Sequence, residues 1–202
     1  MRHPQHHPAL PWAELQIFWG KLAKQPGLAP KALMLTILLA ARTQEVRGAK
    51  WSEFDLEADI PLWIVPGDRM KSGREHRVPL AEPVLELLER LPRFSSGFLF
   101  EGRPGKPLSA NAMLAVLKRM DRSDITVHGF RSTFRDWCAE QTAFPREIAE
   151  AALAHVNKDR VEAAYLRSDL LKRRYRLMQR WAKYATTESS EAVVKLPVAS
   201  SA

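Results

Sequence analysis

Hydrophobic and polar positions follow helical spacing along most of the chain. From Trp12 to Lys24 the apolar residues recur with a helical period, and a Pro-Gly pair ends the segment. A second helix, predicted from Pro30 to Ala41, is apolar almost all round and is therefore expected at the centre of the core. A polar break at Thr43 starts a short helix towards Trp51.

The pattern changes near the middle of the chain. Leu62–Val65 and His76–Leu80 are typical of strands, and the turn-forming stretch PGDRMKSGRE between them predicts a β-hairpin or two strands of a small sheet. Residues 98–100 are compatible with one further short strand. Helices are predicted at about 82–91, 109–120, 128–141, 145–154, 158–167 and 169–184.

These elements predict a mainly α fold with a small antiparallel β-sheet or hairpin, an α+β class. We expect one domain over residues 8–184. It lies between an N-terminal arm at 1–7 and a flexible C-terminal tail at 185–202, which lacks periodicity.

Composition narrows the class of protein. With 202 residues, 46% hydrophobic and 27% charged, the chain is globular rather than disordered. The net charge of +8 favours a polyanionic partner, nucleic acid or an acidic membrane surface. A single cysteine, Cys138, excludes a disulfide framework and a cysteine-rich zinc site. The longest apolar run, Ala32–Ala41, is about half the length that crosses a bilayer, so we expect a cytoplasmic protein without a membrane span.

Basic residues are concentrated in the hairpin and in the last predicted helix. Arg69, Lys71, Arg74 and Arg77 lie at or near the hairpin tip. They are either a solvated charged surface or, together with the cations of the last helix, a surface that converges on a phosphate backbone.

Two arginines are candidates for phosphate binding. In HGFR, His128 and Arg131 are three residues apart and so share a helix face, although a lone H-x-x-R is more often structural. Arg42 follows the apolar helix, where a guanidinium needs a partner. A salt bridge to Glu45 and a phosphate clamp oriented by Glu45 are compatible interpretations.

The segment ALAHVNKDRVEAAYLRSD holds two further candidates. His155 closes one predicted helix, and Tyr165 lies ten residues later in a basic neighbourhood. Tyr165 is either a core residue whose hydroxyl reaches water or a nucleophile whose phenolate is stabilised by cations.

Four stretches in order resemble the catalytic domain of tyrosine site-specific recombinases, with the integrases of prophages and genomic islands as the closest match. They are LLAARTQEVRGAKWSEFDLE, MKSGREHRVPL, HGFRSTFRDW and LAHVNKDRVEAAYLRSD. The resemblance covers residues 8–184 and implies the DNA breaking-rejoining fold of that family. It departs from the family at Gln44, where glycine is usual, and at Ala154, where glycine or serine is common.

The resemblance also implies the roles of individual residues. The catalytic set would be Arg42, Lys71, His128, Arg131, His155 and the nucleophile Tyr165, with Glu45 supporting Arg42. Separately, from their positive charge and place in the chain, Arg69, Arg74, Arg77 and Arg167 are expected to contact DNA.

The implied reaction is DNA integration or excision through a 3′-phosphotyrosyl intermediate, without metal, ATP or other cofactor. The implied partners are double-stranded DNA, three further copies in a homotetramer, and accessory DNA-bending proteins at the bacterial nucleoid. Members of this family normally carry an N-terminal helical domain that holds the other face of DNA, so we expect weak, salt-sensitive binding from these 202 residues.

Three alternatives remain open. A type IB topoisomerase-like enzyme would use the same chemistry to relax one duplex, and a truncated remnant would bind DNA without recombining it. A metal-dependent nuclease has less support: His3, His6 and His7 cluster in the arm, but no carboxylate cluster suited to two metals stands out.

Overall fold

The computed structural model describes residues 8–155 and 170–188. Within these ranges the helices are α1 (Leu15–Ala23), α2 (Leu28–Leu39), α3 (Thr43–Arg47), α4 (Glu82–Glu89), α5 (Ala112–Arg119), α6 (Gly129–Gln141), α7 (Arg146–Ala152) and α8 (Leu171–Thr186). The strands are β1 (Phe54–Asp55), β2 (Leu62–Val65) and β3 (His76–Pro79). Short 3₁₀ helices occupy Trp12–Glu14, Trp51–Glu53 and Gly67–Arg69. The predicted mainly α fold with a small antiparallel sheet is confirmed.

The three strands form one antiparallel sheet in the order β1-β2-β3. The predicted hairpin is present, with Leu62 opposite Pro79 and Val65 opposite His76. Strand β1 was not predicted, because two residues are too few to show alternation. The further strand considered at residues 98–100 is wrong: there Phe98 forms an isolated bridge with Lys50 and the chain turns away.

Helix α2 is the centre of the core, as its apolar sequence predicts. Leu33, Leu35 and Ile37 are fully buried, and α1, α4, α5 and α8 all pack against this helix. It begins two residues before Pro30, because a proline is tolerated anywhere in the first turn, where backbone N–H groups have no helical partner. It ends at Ala40, which adopts the left-handed conformation with φ 47°.

Helices α6 and α8 meet in an aromatic cluster that holds the C-terminal helix against the core. Trp181 is fully buried, lies 5.2 Å from Phe134 and 5.1 Å from Trp137 between ring centroids, and donates its indole N–H to the Ile37 carbonyl at 2.9 Å. The prediction that Phe134 and Trp137 are core residues is confirmed. Cys138 is buried beside them, and burial raises the pKa of its thiol to about 12.

Helix α8 continues two residues beyond the predicted end at 184, and Ala185 is fully buried. The N-terminal arm at 1–7, the helix predicted at 158–167 and residues 189–202 of the tail lie outside the described residues.

Candidate active site

Arg42 stands between α2 and α3, where Glu45 holds both its backbone and its side chain. The Arg42 N–H donates to Glu45 Oε2 at 2.8 Å, and Arg42 Nη1 donates to Glu45 Oε1 at 2.7 Å. A glutamate at the third position of a helix commonly accepts from the backbone N–H that precedes the helix, so this contact also caps α3. The expected ion pair is therefore present. Arg42 Nε and Nη2 donate to none of the described residues.

Arg131, on α6, joins the C-terminal ends of two other helices. Its Nη1 donates to the Ala40 carbonyl at the end of α2, and its Nη2 to the Leu153 carbonyl at the end of α7, both at 2.6 Å. Ala40 and Ala154 are left-handed, with φ of 47° and 50°, and each turns the chain out of its helix. Ala154 thus adopts a conformation that favours glycine.

His155 lies between Arg131 and Glu150. Its Nε2 is 3.1 Å from Arg131 Nη2, and its Nδ1 is 2.5 Å from Glu150 Oε2. A guanidinium only donates, so these partners assign Nε2 as an acceptor and place the ring proton on Nδ1, directed at the carboxylate. Glu150 therefore fixes the tautomer and the orientation of this imidazole.

Arg42 is close enough to Arg131 to affect the protonation of Arg131. Burial and, next, the positive charge of Arg42 together lower the pKa of Arg131 to about 10, while Glu45 and Glu150 oppose the change. Arg131 still carries its charge at neutral pH. Because only 5% of Arg131 is exposed, that charge is held in a largely desolvated position.

His76 was missed as a site residue by sequence reasoning, because it stands in a strand among turn and hairpin residues. Its pKa is lowered to about 4, mainly by burial and next by the positive charge of Arg174; Arg42 contributes less, and Glu45 opposes the shift. An imidazole N–H directed at the Ala152 carbonyl, at the end of α7, also opposes the shift. His76 is therefore a neutral residue that links the sheet to the helix leading into His155.

Arg174 was also missed, since the sequence places it among many cations of the last helix. It is only 1% exposed, and its Nη1 donates to the Arg77 carbonyl at 2.6 Å. This bond connects the start of α8 to strand β3, so Arg174 braces the sheet rather than facing solvent.

His128 immediately precedes α6 and is exposed, with Arg131 one helical turn further on. The next residue, Gly129, lies against the N-terminal segment: a Cβ there would come within 2.2 Å of the Pro8 carbonyl oxygen. Thr126 N–H donates to that same carbonyl at 3.0 Å. The start of α6 is therefore pinned by the residues that lead into the domain.

Lys71 occupies the turn between β2 and β3, where it is exposed and bonds to none of the described residues. Arg74 and Arg77 are also exposed. Arg69, predicted as a DNA contact, forms an ion pair with Glu53, and 21% of its side chain is exposed.

The structure thus brings Arg42, Glu45, Arg131 and His155 together and places Lys71 on an adjoining turn. Tyr165 and Arg167 lie outside the described residues. Residues 8–155 and 170–188 contain no group of three or more His, Cys, Asp or Glu side chains placed to hold a metal ion. In the same ranges, none of the helices combines the length and apolar character needed to cross a membrane.

Three curated relatives match most of this chain. Prophage integrase IntA of Escherichia coli (strain K12) is 37% identical over 166 residues, which is 80% of this chain and 40% of that protein. Prophage integrase IntZ of the same strain is 37% identical over 187 residues, 90% of this chain and 46% of IntZ. The integrase of Enterobacteria phage P4 is 32% identical, covering 89% of this chain and 46% of that protein. The chain spans less than half the length of these relatives.

A solved structure supports the fold. The XerH site-specific recombinase bound to its difH substrate in a pre-cleavage complex superposes with a TM-score of 0.59 at 16% identity, over 83% of this chain and 56% of XerH. At that identity the likeness is one of fold. The model of the phage integrase family matches residues 14–171, most of the chain. The chain belongs to the phage integrase family and has the fold of a tyrosine recombinase catalytic domain.

Proposed function

We propose that this chain breaks and rejoins DNA strands in site-specific recombination, using Tyr165 as the nucleophile. The observation that carries the proposal is the convergence of Arg42, Arg131 and His155, each oriented by a carboxylate or a backbone carbonyl. A preformed pair of guanidinium groups suits a phosphodiester whose negative charge grows in the transition state.

Each residue of the site has a separate role in strand cleavage. The Tyr165 oxygen attacks phosphorus and forms a 3′-phosphotyrosyl bond, while the 5′-oxygen leaves with a proton from Lys71. Arg42 and Arg131 stabilise the non-bridging oxygens. The proton of the Tyr165 hydroxyl passes to His155 Nε2, whose lone pair accepts from Arg131 in the free protein, and His128 assists; on rejoining the proton returns to Tyr165.

Rejoining reverses these steps. The 5′-hydroxyl of a second strand attacks the phosphotyrosine and releases the Tyr165 hydroxyl. One ester replaces another, so the bond energy is conserved and neither ATP nor a metal ion enters the balance.

Double-stranded DNA is the proposed partner, supported by the net charge of +8 and by the DNA substrate in the XerH complex. We further propose that four copies act together on two duplexes, with accessory DNA-bending proteins, as the resemblance implies. Relaxation of a single duplex is the nearest alternative, since it needs the same residues without pairing of two sites. Strand transfer between two labelled duplexes separates the two activities.

The direct test is capture of covalent DNA. A duplex library with a randomised centre is incubated at low salt with wild-type protein and with Tyr165→Phe, with a chelator present, and DNA that stays on denatured protein is sequenced. We expect adducts from the wild type alone, enriched in one sequence. Anisotropy measurements verify that the DNA is bound. An absence of adducts at saturation, or a strict magnesium requirement, contradicts the proposal.

A further inference from the structure

We infer that Arg69 is a positioning residue: it anchors the turn that carries Lys71 to helix α3, the helix whose Glu45 holds Arg42. The inference rests on the proposed function, because it concerns how the proton donor of that reaction is placed. It replaces the expectation that Arg69 contacts DNA.

The Arg69 guanidinium bridges two separate partners. Its Nη1 donates to the backbone carbonyl of Glu45 at 2.9 Å, and its Nη2 pairs with the Glu53 carboxylate. Side chains of Arg69 and Glu53 are 21% and 11% exposed, so the pair is largely removed from water. One residue therefore fastens the 3₁₀ turn Gly67–Arg69 to the same Glu45 that orients Arg42.

Glu53 is itself fixed from the sheet. Its Oε2 also accepts the indole N–H of Trp63 at 2.9 Å, and Trp63 is a fully buried residue of β2. An acceptor held this way offers the guanidinium a defined position, which a mobile carboxylate would not.

Helix α3 provides a recess for the guanidinium. A Cβ at Gly48 would lie 2.9 Å from Arg69 Nη1, so the guanidinium occupies space that any other residue would fill. The φ of Gly48 is −89°, a conformation that alanine adopts without strain. Space for Arg69, and not backbone geometry, is what glycine supplies here.

The chain from Arg69 to Lys71 is short and constrained. Met70 is 6% exposed and packs in the core, and Lys71 follows it directly. Across the turn, Gly67 and Gly73 are in close contact, since a Cβ on Gly67 would lie 2.7 Å from the Gly73 carbonyl oxygen. Lys71 therefore projects from a closed turn whose base is fixed at Arg69 and Met70.

This arrangement is unsuited to a phosphate contact. Glu53 neutralises the charge of Arg69, and both of its Nη groups donate to the protein. Arg42 differs because its Nε and Nη2 donate to none of the described residues, and Arg131 differs because it pairs with no described carboxylate. The exposed Arg74 in the same turn forms no ion pair with a described residue and is better placed to neutralise a phosphate.

Placement of the proton donor should therefore depend on Arg69. A small displacement of a catalytic group commonly lowers the rate by about a hundredfold. Loss of Arg69 should slow cleavage while leaving DNA affinity and its salt dependence near wild type.

The experiment compares Arg69→Ala, Arg69→Lys and Gly48→Ala with the control Arg90→Ala. Arg90 directly follows α4, its side chain is exposed, and its one ion pair with a described residue is a 4.0 Å contact with Glu86. Cleavage is measured in single turnover on a nicked suicide duplex at saturation, with the sequence taken from the capture experiment. We expect losses of roughly 10- to 100-fold for the first three variants and none for Arg90→Ala. Arg69→Lys should lose as much cleavage activity as Arg69→Ala, because lysine lacks the planar guanidinium that reaches both the Glu45 carbonyl and the Glu53 carboxylate. A phosphate contact would instead tolerate lysine and change DNA affinity.

A second substrate identifies Lys71 as the group affected. Sulfur replaces the 5′-bridging oxygen at the scissile phosphate; a thiol ionises near pH 8.5, so the thiolate leaves without a proton donor. If Arg69 acts through Lys71, the variants should approach the wild-type rate on this duplex. Gly48→Ala matters most here, because it displaces the guanidinium while leaving Arg69 itself unchanged.

Outcomes of the two tests are separable. No adduct from the wild type overturns the proposed function. Wild-type adducts with equal losses for the Arg69 variants on both duplexes, or a defect confined to DNA affinity, overturn the positioning role alone. Hydrogen exchange of α3 amides gives a readout without activity: faster exchange in Arg69→Ala than in Arg90→Ala is expected, and unchanged exchange counts against the anchor.

Discussion

Arg131 and Lys71 show two opposite ways of presenting a charge. Arg131 is buried, and it donates to two helix-terminal carbonyls and to His155. Lys71 is exposed on a turn and bonds to none of the described residues. The Arg131 guanidinium therefore contributes hydrogen bonds that stabilise the fold, whereas the Lys71 ammonium contributes none with the described residues.

The difference follows from what each group must do. A charge that stabilises the transition state acts best when its direction is fixed before the reaction. A proton donor must approach an oxygen that arrives with the DNA, so its side chain keeps rotamer freedom while its backbone is anchored. Stability and catalysis should therefore be coupled at Arg131 and separate at Lys71.

Arg131→Lys should have the largest effect. Lysine keeps the charge but cannot donate to the carbonyls of both Ala40 and Leu153, so at least one buried acceptor is left without a partner. We expect a loss of about 2–4 kcal/mol in the free energy of unfolding and a loss of cleavage of about a thousandfold. Urea denaturation and suicide-duplex cleavage measure the two. An unchanged free energy of unfolding would show that the hydrogen bonds from Arg131 to the two carbonyls do not stabilise the fold.

Lys71→Ala should affect the reaction alone. Loss of the proton donor should slow cleavage by about 100- to 1000-fold. Because Lys71 is exposed and forms no bond with a described residue, unfolding should change by less than about 0.5 kcal/mol. A large drop in the free energy of unfolding would contradict the expectation that Lys71 acts in catalysis without stabilising the fold.

His76 links the two regions and predicts a pH dependence of stability. Its pKa falls from 6.5 in the unfolded chain to about 4 in the fold, so the unfolded state binds the extra proton. The contribution of His76 to the free energy of unfolding should therefore have its full value above pH 6.5. It should decrease as the pH falls towards 4, by on the order of 3 kcal/mol. His76→Gln removes this titration and should flatten the stability profile over that interval. Parallel profiles for the two proteins would be inconsistent with a buried neutral imidazole.

Gly129→Ala tests how firmly Arg131 depends on the N-terminal segment. The new methyl group would collide with the Pro8 carbonyl, so that segment or α6 must shift, at a cost of about 1–3 kcal/mol. A shift of α6 would also lower the cleavage rate, whereas a shift of the segment alone would not. Gly20→Ala is the matched control, since no atom lies within 4 Å of a Cβ there.

Local patterns predicted much of the fold. Strand β2 was located to the residue, because four β-forming residues follow a turn signal. The Arg42–Glu45 pair was equally accessible, since its members are three residues apart on a helix start.

The contacts that build the site could not be predicted from spacing. Arg131 binds the carbonyls of Ala40, 91 residues away, and Leu153, 22 residues away. Every residue has a carbonyl, so no side-chain pattern marks these partners. Arg69 was predicted to contact DNA from its charge; its ion pair could not be predicted, because Glu53 lies 16 residues earlier, before a sheet that the sequence revealed only in part. The role of Tyr165 remains a prediction.

The burial of Cys138 makes it practical to follow the Lys71 turn by site-specific fluorescent labelling. It is the sole cysteine of the chain, and its buried thiol, with a pKa of about 12, is unreactive towards alkylating dyes in the native state. A cysteine introduced at the exposed Ser72 would be the one labelled position. A fluorophore attached there would report the docking of a duplex without any change to the native thiol.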